Sequence, residues 1–252
     1  VEDRHAFADG CAALGAQPAP HRGRAIGQFR QDDPCPRETT RARAARPTGD
    51  RTPEDWLHRI ALDEVQDRLL DINRTFTDVA VVTGMPAPWR AAFPRARVVP
   101  DDPVLDLAPG TLDLVIHAMA LHWADDPVGQ MVQCARALRE DGLFIAVCFG
   151  GQTLQELRAA LAQAEVELTG GLSPRVLPMG DIRDMGALIG RAGLALPVAD
   201  LLPQRASYRD LFHLAHDLRA MGEGNAMAAR LRRPTGRGVL ARAAAIMAEH
   251  HG

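Results

Sequence analysis

The sequence of 252 residues contains no lysine and a single tyrosine, and aromatic residues make up only 4% of it. All 29 basic residues are therefore arginine, and 32 acidic residues bring the net charge to −3. A charge so near neutral excludes the general basic field that attracts nucleic acid or anionic membranes. We expect no nucleic-acid partner, and we interpret the arginines as solvated surface residues.

Long apolar runs and paired cysteines are also missing. No stretch reaches the roughly 18 apolar residues that a membrane-spanning helix needs, and the N-terminus lacks the cationic start and apolar block of a signal peptide. The cysteines, Cys11, Cys35, Cys134 and Cys148, form no CxxC pair and no metal-spaced cluster with histidine. We therefore expect a cytoplasmic protein with free thiols, no membrane span and no metal site, and we predict that Cys148 is a small buried hydrophobe.

The chain divides into an irregular first part and an α/β part. Residues 1–50 are rich in arginine, proline, glycine and alanine without a persistent apolar period, which predicts a disordered or atypical segment. Residues 51–252 alternate β-branched runs with helical patterns, which predicts one domain with crossover units and a parallel sheet. The predicted strands are 79–82, 97–99, 112–120, 143–149 and 194–202, and the main predicted helices are 56–72, 130–138, 153–168, 181–192, 208–221 and 236–250.

The loops that follow the strands are the candidate binding site, because doubly wound sheets bind ligands beyond the carboxyl ends of their strands. These loops contain Thr83-Gly84-Met85, Asp101-Asp102, His117-Ala118-Met119 and Gly150-Gly151. A nucleotide-like cofactor needs a glycine-rich first turn and an acid that accepts from the ribose hydroxyls. The first turn here contains only Gly84 before two prolines, so an ordinary strand-to-loop turn explains it equally well.

The histidines leave several interpretations open. His122 and Trp123 either form a wall of a substrate pocket or pack beneath the rim of the sheet. His213 and His216 share a helix face, but no third ligand is apparent, and we expect no metal there. No catalytic residue can be assigned from residue order, because such sites are defined by geometry.

Three segments carry a resemblance to a known family: Thr111-Leu112-Asp113-Leu114-Val115-Ile116, Leu121-His122-Trp123 and Leu138-Arg139-Glu140-Asp141-Gly142-Leu143-Phe144. They resemble the fourth- and fifth-strand region of the class I (type 11) S-adenosylmethionine-dependent methyltransferases. The later run from Phe149 to Asn225 is similar to the branch that contains the mitochondrial complex I assembly factor and arginine hydroxylase. The resemblance implies a doubly wound, mostly parallel sheet with helices on both faces.

The resemblance also implies a site and a function. The implied pocket for S-adenosylmethionine contains Thr83, Gly84, Asp101, Asp102, His117 and Met119, and the implied substrate side contains His122, Trp123, Gly150 and Gly151. The implied activity is methyl transfer to an unidentified small-molecule or protein acceptor. The alternative is a non-methylating assembly factor, or an arginine hydroxylase, with a respiratory complex I subunit as its partner.

The sequence departs from the family in three places. The first turn lacks the family's acid and most of its glycines. Only 113 − 84 = 29 positions separate Gly84 from Asp113, which predicts an incomplete N-terminal half without the ribose-binding carboxylate of the second strand. Asp101-Asp102 is then expected at the end of the third strand, towards the adenine. The chain stops at Gly252 before the family's closing antiparallel strand, so we predict that this last strand is missing.

Overall fold

The computed structural model describes the backbone of residues 7–18 and the chain from 55 to 177 and from 179 to 251. The strands are β1 (Phe7–Pro18), β2 (Val79–Val82), β3 (Arg97–Val99), β4 (Leu112–Ala118), β5 (Leu138–Phe149) and β6 (Leu194–Arg205). The helices are α1 (Trp56–Ile72), α2 (Pro86–Ala92), α3 (Pro127–Ala137), α4 (Gln155–Thr169), α5 (Ile182–Arg191), α6 (Leu211–Ala220) and α7 (Arg237–His251). A short 3-10 helix, Leu121–Trp123, follows β4.

The strands form one sheet in the order β3-β2-β4-β5-β1-β6. β2 pairs in parallel with β3 and with β4, and β4 pairs in parallel with β5. Helices connect β2 to β3 and β4 to β5, and a longer loop connects β3 to β4. Such crossover connections are needed for parallel pairing, since a tight turn would reverse the chain. The predicted doubly wound, mostly parallel α/β fold is confirmed.

The exception to parallel pairing is β1, which lies antiparallel between β5 and β6. It pairs Cys11 with Phe149 and Ala16 with Phe144 on one side, and Pro18 with Leu194 on the other. β1 thereby satisfies backbone groups of both neighbours that an open sheet position would leave unpaired.

The placement of β1 differs from two expectations drawn from the sequence. The segment Phe7–Pro18 was expected to lack regular structure, because its glycines and proline lower strand propensity, yet sheet pairing overrides that preference. The sheet position expected to lack its strand is filled by this segment. The remainder of the predicted irregular segment, 1–6 and 19–50, lies outside the described residues, and the division into two parts stays a prediction.

A short crossover unit, β2-α2-β3, places β3 directly beside β2. Pro86 begins α2, where its missing N–H costs no hydrogen bond. Trp89 is fully buried, and its indole N–H donates to Nδ1 of His58 on α1 at 3.0 Å. This bond holds α2 against α1. The crossing from β2 to β3 is made by this helix of only about two turns.

Alternating side chains of β4 and β5 bury both faces of the sheet. Val115 and Phe144 pack in one apolar cluster with residues of α3 and α5, whereas Leu114 and Ile145 pack in another with residues of α1 and α2. Helices therefore cover both faces, as predicted. A third apolar cluster joins α4, α6 and α7, through Leu157, Leu211 and Ile246 among others.

Two cysteines belong to the first of these clusters. Cys148 is buried on β5, as predicted, and Cys134 is buried on α3. Burial raises the pKa of the Cys134 thiol to about 12, so this side chain behaves as a small apolar residue. Among the helices of the described residues, none combines the length and the apolar character needed to cross a membrane.

Candidate cofactor crevice and acceptor cavity

The carboxyl ends of β2, β3 and β4 meet at one edge of the sheet. Thr83 follows β2, Asp101 follows β3 and Met119 follows β4, and these side chains are only 2%, 3% and 3% exposed. The backbone N–H of Thr83 donates to the Val99 carbonyl at 3.1 Å, which closes the β2 end onto β3. The structure thus places these predicted cofactor residues at adjacent strand ends, here called the crevice.

The crevice is braced by Gln130, which sequence reasoning missed. Its Oε1 lies 2.8 Å from Nε2 of His117, and its Nε2 donates to the carbonyls of Asp101 at 3.3 Å and Asp102 at 3.0 Å. His117 is completely buried, and Gln130 connects it to the loop after β3. The sequence does contain a signal for this residue: Gln130 is a polar residue on the same helix face as the apolar Cys134.

Replacing Gln130 with leucine is expected to destabilise the fold by about 3 kcal/mol, because His117 and two carbonyls lose a buried partner together. Denaturant unfolding monitored by circular dichroism would measure the loss. Gln133→Leu on the same helix is the matched control, since its bonds to Leu105 and Pro103 are partly or fully exposed. We expect less than about 1 kcal/mol there, and equal losses in the two variants would contradict the bracing role.

The loop after β3 contains Asp101 and Asp102. The sequence predicts them at the end of the family's third strand, towards an adenine. In the structure β3 pairs in parallel with β2, and the contact with an adenine stays a prediction. Asp101 lies 101 − 84 = 17 positions after Gly84. In doubly wound nucleotide-binding folds, an acid about 20 residues beyond the glycine turn accepts from the ribose hydroxyls. Asp101 therefore has nearly the spacing of a ribose-binding acid and is buried, whereas Asp102 is exposed.

A cavity of about 300 Å³, here called the acceptor cavity, is lined in part by residues that follow β4. His122 and Trp123 line it after β4, and Phe149 lines it at the end of β5. His122 and Trp123 thus form part of a pocket wall, and a substrate in this pocket stays a prediction. A cavity of this size is at the lower end of small-molecule sites.

The two glycines predicted on the substrate side shape the turn beside the cavity and are absent from its lining. The carbonyl of Gly150 accepts from the Thr153 hydroxyl at 2.8 Å, and Thr153 itself lines the cavity. The N–H of Gly151 donates to the Gly180 carbonyl at 2.9 Å. Gly151 has φ +56°, a conformation that favours glycine.

Glu223 organises the wall of the acceptor cavity. Both of its carboxylate oxygens lie 3.3 Å from Nε2 of His122, and the indole N–H of Trp123 donates to Oε1 at 3.2 Å. The His122 ring also contacts the Phe149 ring, with centroids 4.7 Å apart. A carboxylate in this position fixes the imidazole ring and favours a proton on Nε2. Sequence reasoning missed Glu223 because about a hundred residues separate it from its partners.

Two loop segments, 173–177 with Met179 and 223–235, complete the acceptor cavity, and Glu165 on α4 holds the first of them. Its carboxylate accepts from the Ser173 N–H at 2.8 Å, the Ser173 hydroxyl at 2.9 Å and Nη2 of Arg175 at 2.7 Å. Burial raises the pKa of Glu165, but these bonds outweigh burial and the net pKa is lowered. The Asn225 side chain donates to the Pro174 carbonyl at 2.9 Å, which ties the two segments together.

The histidine pair on α6 forms separate contacts with two aspartates. Nδ1 of His213 lies 3.5 Å from Asp210, and Nδ1 of His216 lies 3.7 Å from Asp217. Within residues 55–177 and 179–251, no group of three or more histidine, cysteine, aspartate or glutamate side chains is arranged to hold a metal ion.

Comparison with known proteins gives one family match and several curated relatives. Residues 66–146 match the family model described as "Methyltransferase domain". Human "Arginine-hydroxylase NDUFAF5, mitochondrial" is 39% identical over 133 residues, which are 53% of this chain and 39% of that protein. The mouse protein of the same name is 38% identical over the same length and shares.

A second kind of relative is the "Malonyl-[acyl-carrier protein] O-methyltransferase" of Laribacter hongkongensis (strain HLHK9). It is 36% identical over 157 residues, which are 62% of this chain and 49% of that protein. The chain therefore spans between about two fifths and half of the length of these relatives.

Proposed function

We propose that this chain, in which residues 66–146 are a segment of the methyltransferase-domain family, transfers a methyl group from S-adenosylmethionine to a molecule held in the acceptor cavity. The observation that carries the proposal is that the segment after β4 contributes residues to both the crevice and the cavity. Met119 lies at the crevice, and His122, three positions later, lines the cavity. Methyl transfer requires this adjacency, because its rate comes mainly from holding donor and acceptor in line.

The donor set of the crevice fits the nucleoside part of S-adenosylmethionine. The buried carboxylate of Asp101 would accept from the ribose hydroxyls, and the Thr83 hydroxyl and Gly84 backbone would approach from the neighbouring strand end. Asp102 and His117 would act indirectly, since Gln130 joins both to the loop that presents Asp101. The cofactor, when bound, supplies a methyl group activated on a sulfonium.

The wall of the acceptor cavity supplies orientation and a group that can take a proton. Trp123 and Phe149 present apolar surface to the acceptor. Glu223 lines the cavity and is held by His122 and Trp123, so its carboxylate is suited to receive the proton that a neutral acceptor loses on methylation.

Calorimetric titration with S-adenosylmethionine, and separately with S-adenosylhomocysteine, tests the proposal. We expect micromolar dissociation constants for both compounds and no measurable binding of ATP, which shares the adenosine but carries a triphosphate. A chain that unfolds cooperatively yet binds neither sulfur compound would overturn methyl transfer as its function.

The second candidate function is a non-methylating assembly factor or an arginine hydroxylase, with a respiratory complex I subunit as partner. Two observations favour it: the single glycine in the turn after β2, and the identity to arginine hydroxylases over about half of the chain. Recovery of a complex I subunit on the tagged chain from respiring cells, without binding of S-adenosylmethionine, would support it. The cytoplasmic location expected from the sequence stays a prediction.

A further inference from the structure

The lining of the acceptor cavity carries more positive than negative charge. Arg175, Arg230 and Arg233 line it with Glu223, and Glu165 pairs with Arg175 from behind, so three guanidinium groups face two carboxylates. This contrasts with the whole chain, in which acidic residues outnumber basic ones. An excess of guanidinium groups in a partly enclosed site favours an anionic ligand and disfavours a cationic one.

The arginines come from the two loop segments and not from the sheet. Arg175 is held by Glu165 and by the hydroxyl of Thr235, so its guanidinium is fixed before any ligand arrives. Nη1 of Arg230 donates to the Met227 carbonyl at 2.9 Å, which also restricts that side chain. Preorganised guanidinium groups bind planar carboxylates and phosphates through paired hydrogen bonds.

The rest of the lining is mainly apolar. Its aliphatic side chains include Leu154, Leu157, Leu161, Val176, Leu218 and Leu231. These residues come from α4 and its N-cap residue, from α6 and from the two loop segments. A ligand that fills the space must therefore present hydrocarbon surface as well as charge.

We propose that the acceptor cavity binds an apolar molecule, or the apolar arm of a larger one, that ends in a carboxylate or phosphate. The arginines of the loop segments hold the anion, and the aliphatic side chains hold the hydrocarbon. That this molecule is the methyl acceptor rests on the proposed function. Its binding in the cavity does not require the cofactor.

Four eight-carbon probes test the proposal by calorimetry on the full chain without cofactor: octanoate, octyl phosphate, octan-1-ol and octylamine. We expect at least one of the two anions to bind about tenfold or more tightly than the neutral and cationic probes. The ranking of octanoate against octyl phosphate identifies which anion the site prefers. Equal binding of all four probes, or tightest binding of octylamine, would overturn the proposal.

Two neighbouring arginines provide a variant and its matched control. Arg233→Gln removes an exposed cation from the lining and is expected to weaken binding of the preferred anion about tenfold. Arg232→Gln removes an exposed cation that does not belong to the lining and donates to the Ala228 carbonyl, so binding should change less than twofold. Anion binding unchanged by Arg233→Gln would count against the site.

Failure of this proposal is distinguishable from failure of the proposed function. Binding of S-adenosylmethionine without any preference for anionic probes would overturn the ligand class and leave methyl transfer standing. If the chain binds the anionic probes but does not bind S-adenosylmethionine, an anionic ligand for the cavity is supported and methyl transfer is excluded.

Discussion

Replacing Asp101 with asparagine is expected to weaken binding of S-adenosylmethionine about 30-fold while the chain stays folded. Hydrogen bonds to a charged partner contribute about 1.5–3 kcal/mol each, and the asparagine amide keeps one acceptor oxygen without the charge. A loss of about 2 kcal/mol corresponds to this factor. Calorimetric titration of the variant measures it, and thermal unfolding of the same sample shows whether the fold is intact.

Asp102→Asn is the matched control for Asp101→Asn. Asp102 is exposed, and its contact with Gln130 is made by the backbone carbonyl, which the substitution keeps. Binding should therefore change less than twofold. Unaltered binding in Asp101→Asn would remove that carboxylate from the cofactor site, and equal weakening in both variants would indicate a general effect of loop charge.

Replacing Glu165 with glutamine is expected to lower the free energy of unfolding by about 3 kcal/mol at pH 7. Its side chain is 6% exposed and that of Arg175 is 15% exposed, so the substitution leaves a largely buried guanidinium without its counter-ion. The loss also frees the first loop segment of the acceptor cavity. Denaturant unfolding of both proteins over a pH series measures the difference.

The stabilising effect of the Glu165 carboxylate is expected to depend on pH in one direction. The pKa of Glu165 is lowered in the folded chain, so the carboxylate adds stability above its unfolded pKa, about 4.3. That contribution disappears as the pH falls through the lowered pKa of the folded state. The difference between wild type and Glu165→Gln should therefore be constant near neutral pH and shrink in acid. A difference that grows as the pH falls would contradict the ion pair.

Glu167→Gln is the control for Glu165→Gln on the same helix. Glu167 also pairs with an arginine, Arg242, at 2.6 Å, but its side chain is 38% exposed. An exposed pair contributes less than about 1 kcal/mol, so we expect a small loss. Similar losses in the two variants would show that burial of Glu165 and Arg175 is unimportant.

Local patterns in the sequence predicted most of the fold. The β-branched run at 79–82 is β2, and the helical spacings at 153–168 and 181–192 correspond to α4 and α5 within two residues. In these elements the spacing of apolar residues matches the secondary structure that forms, so local preference and tertiary packing agree. The methyltransferase-domain resemblance is confirmed over residues 66–146.

Long-range contacts were beyond the reach of those patterns. β1 is positioned by its pairing with β5 and β6. Its sequence is rich in alanine and glycine and has no local pattern that indicates a strand. Gln130 and Glu223 matter because of partners many residues away. The start of α3 was missed by three residues, although Asp126 caps it and Pro127 opens it, because only its apolar spacing was considered.

The crevice and the acceptor cavity differ in how much of each lies within the family match. The family match ends at residue 146, whereas Glu223 and the arginines of the acceptor cavity lie beyond it. The crevice residues therefore fall within the matched segment, and most of the cavity lining does not.

The most direct measurement is a crystal structure of the full chain with S-adenosylhomocysteine. The account predicts the ribose hydroxyls within hydrogen-bond distance of the Asp101 carboxylate, and the sulfur directed past Met119 towards His122 and Trp123. A ligand bound with its ribose away from Asp101, or with its sulfur turned from the acceptor cavity, would contradict the proposed site.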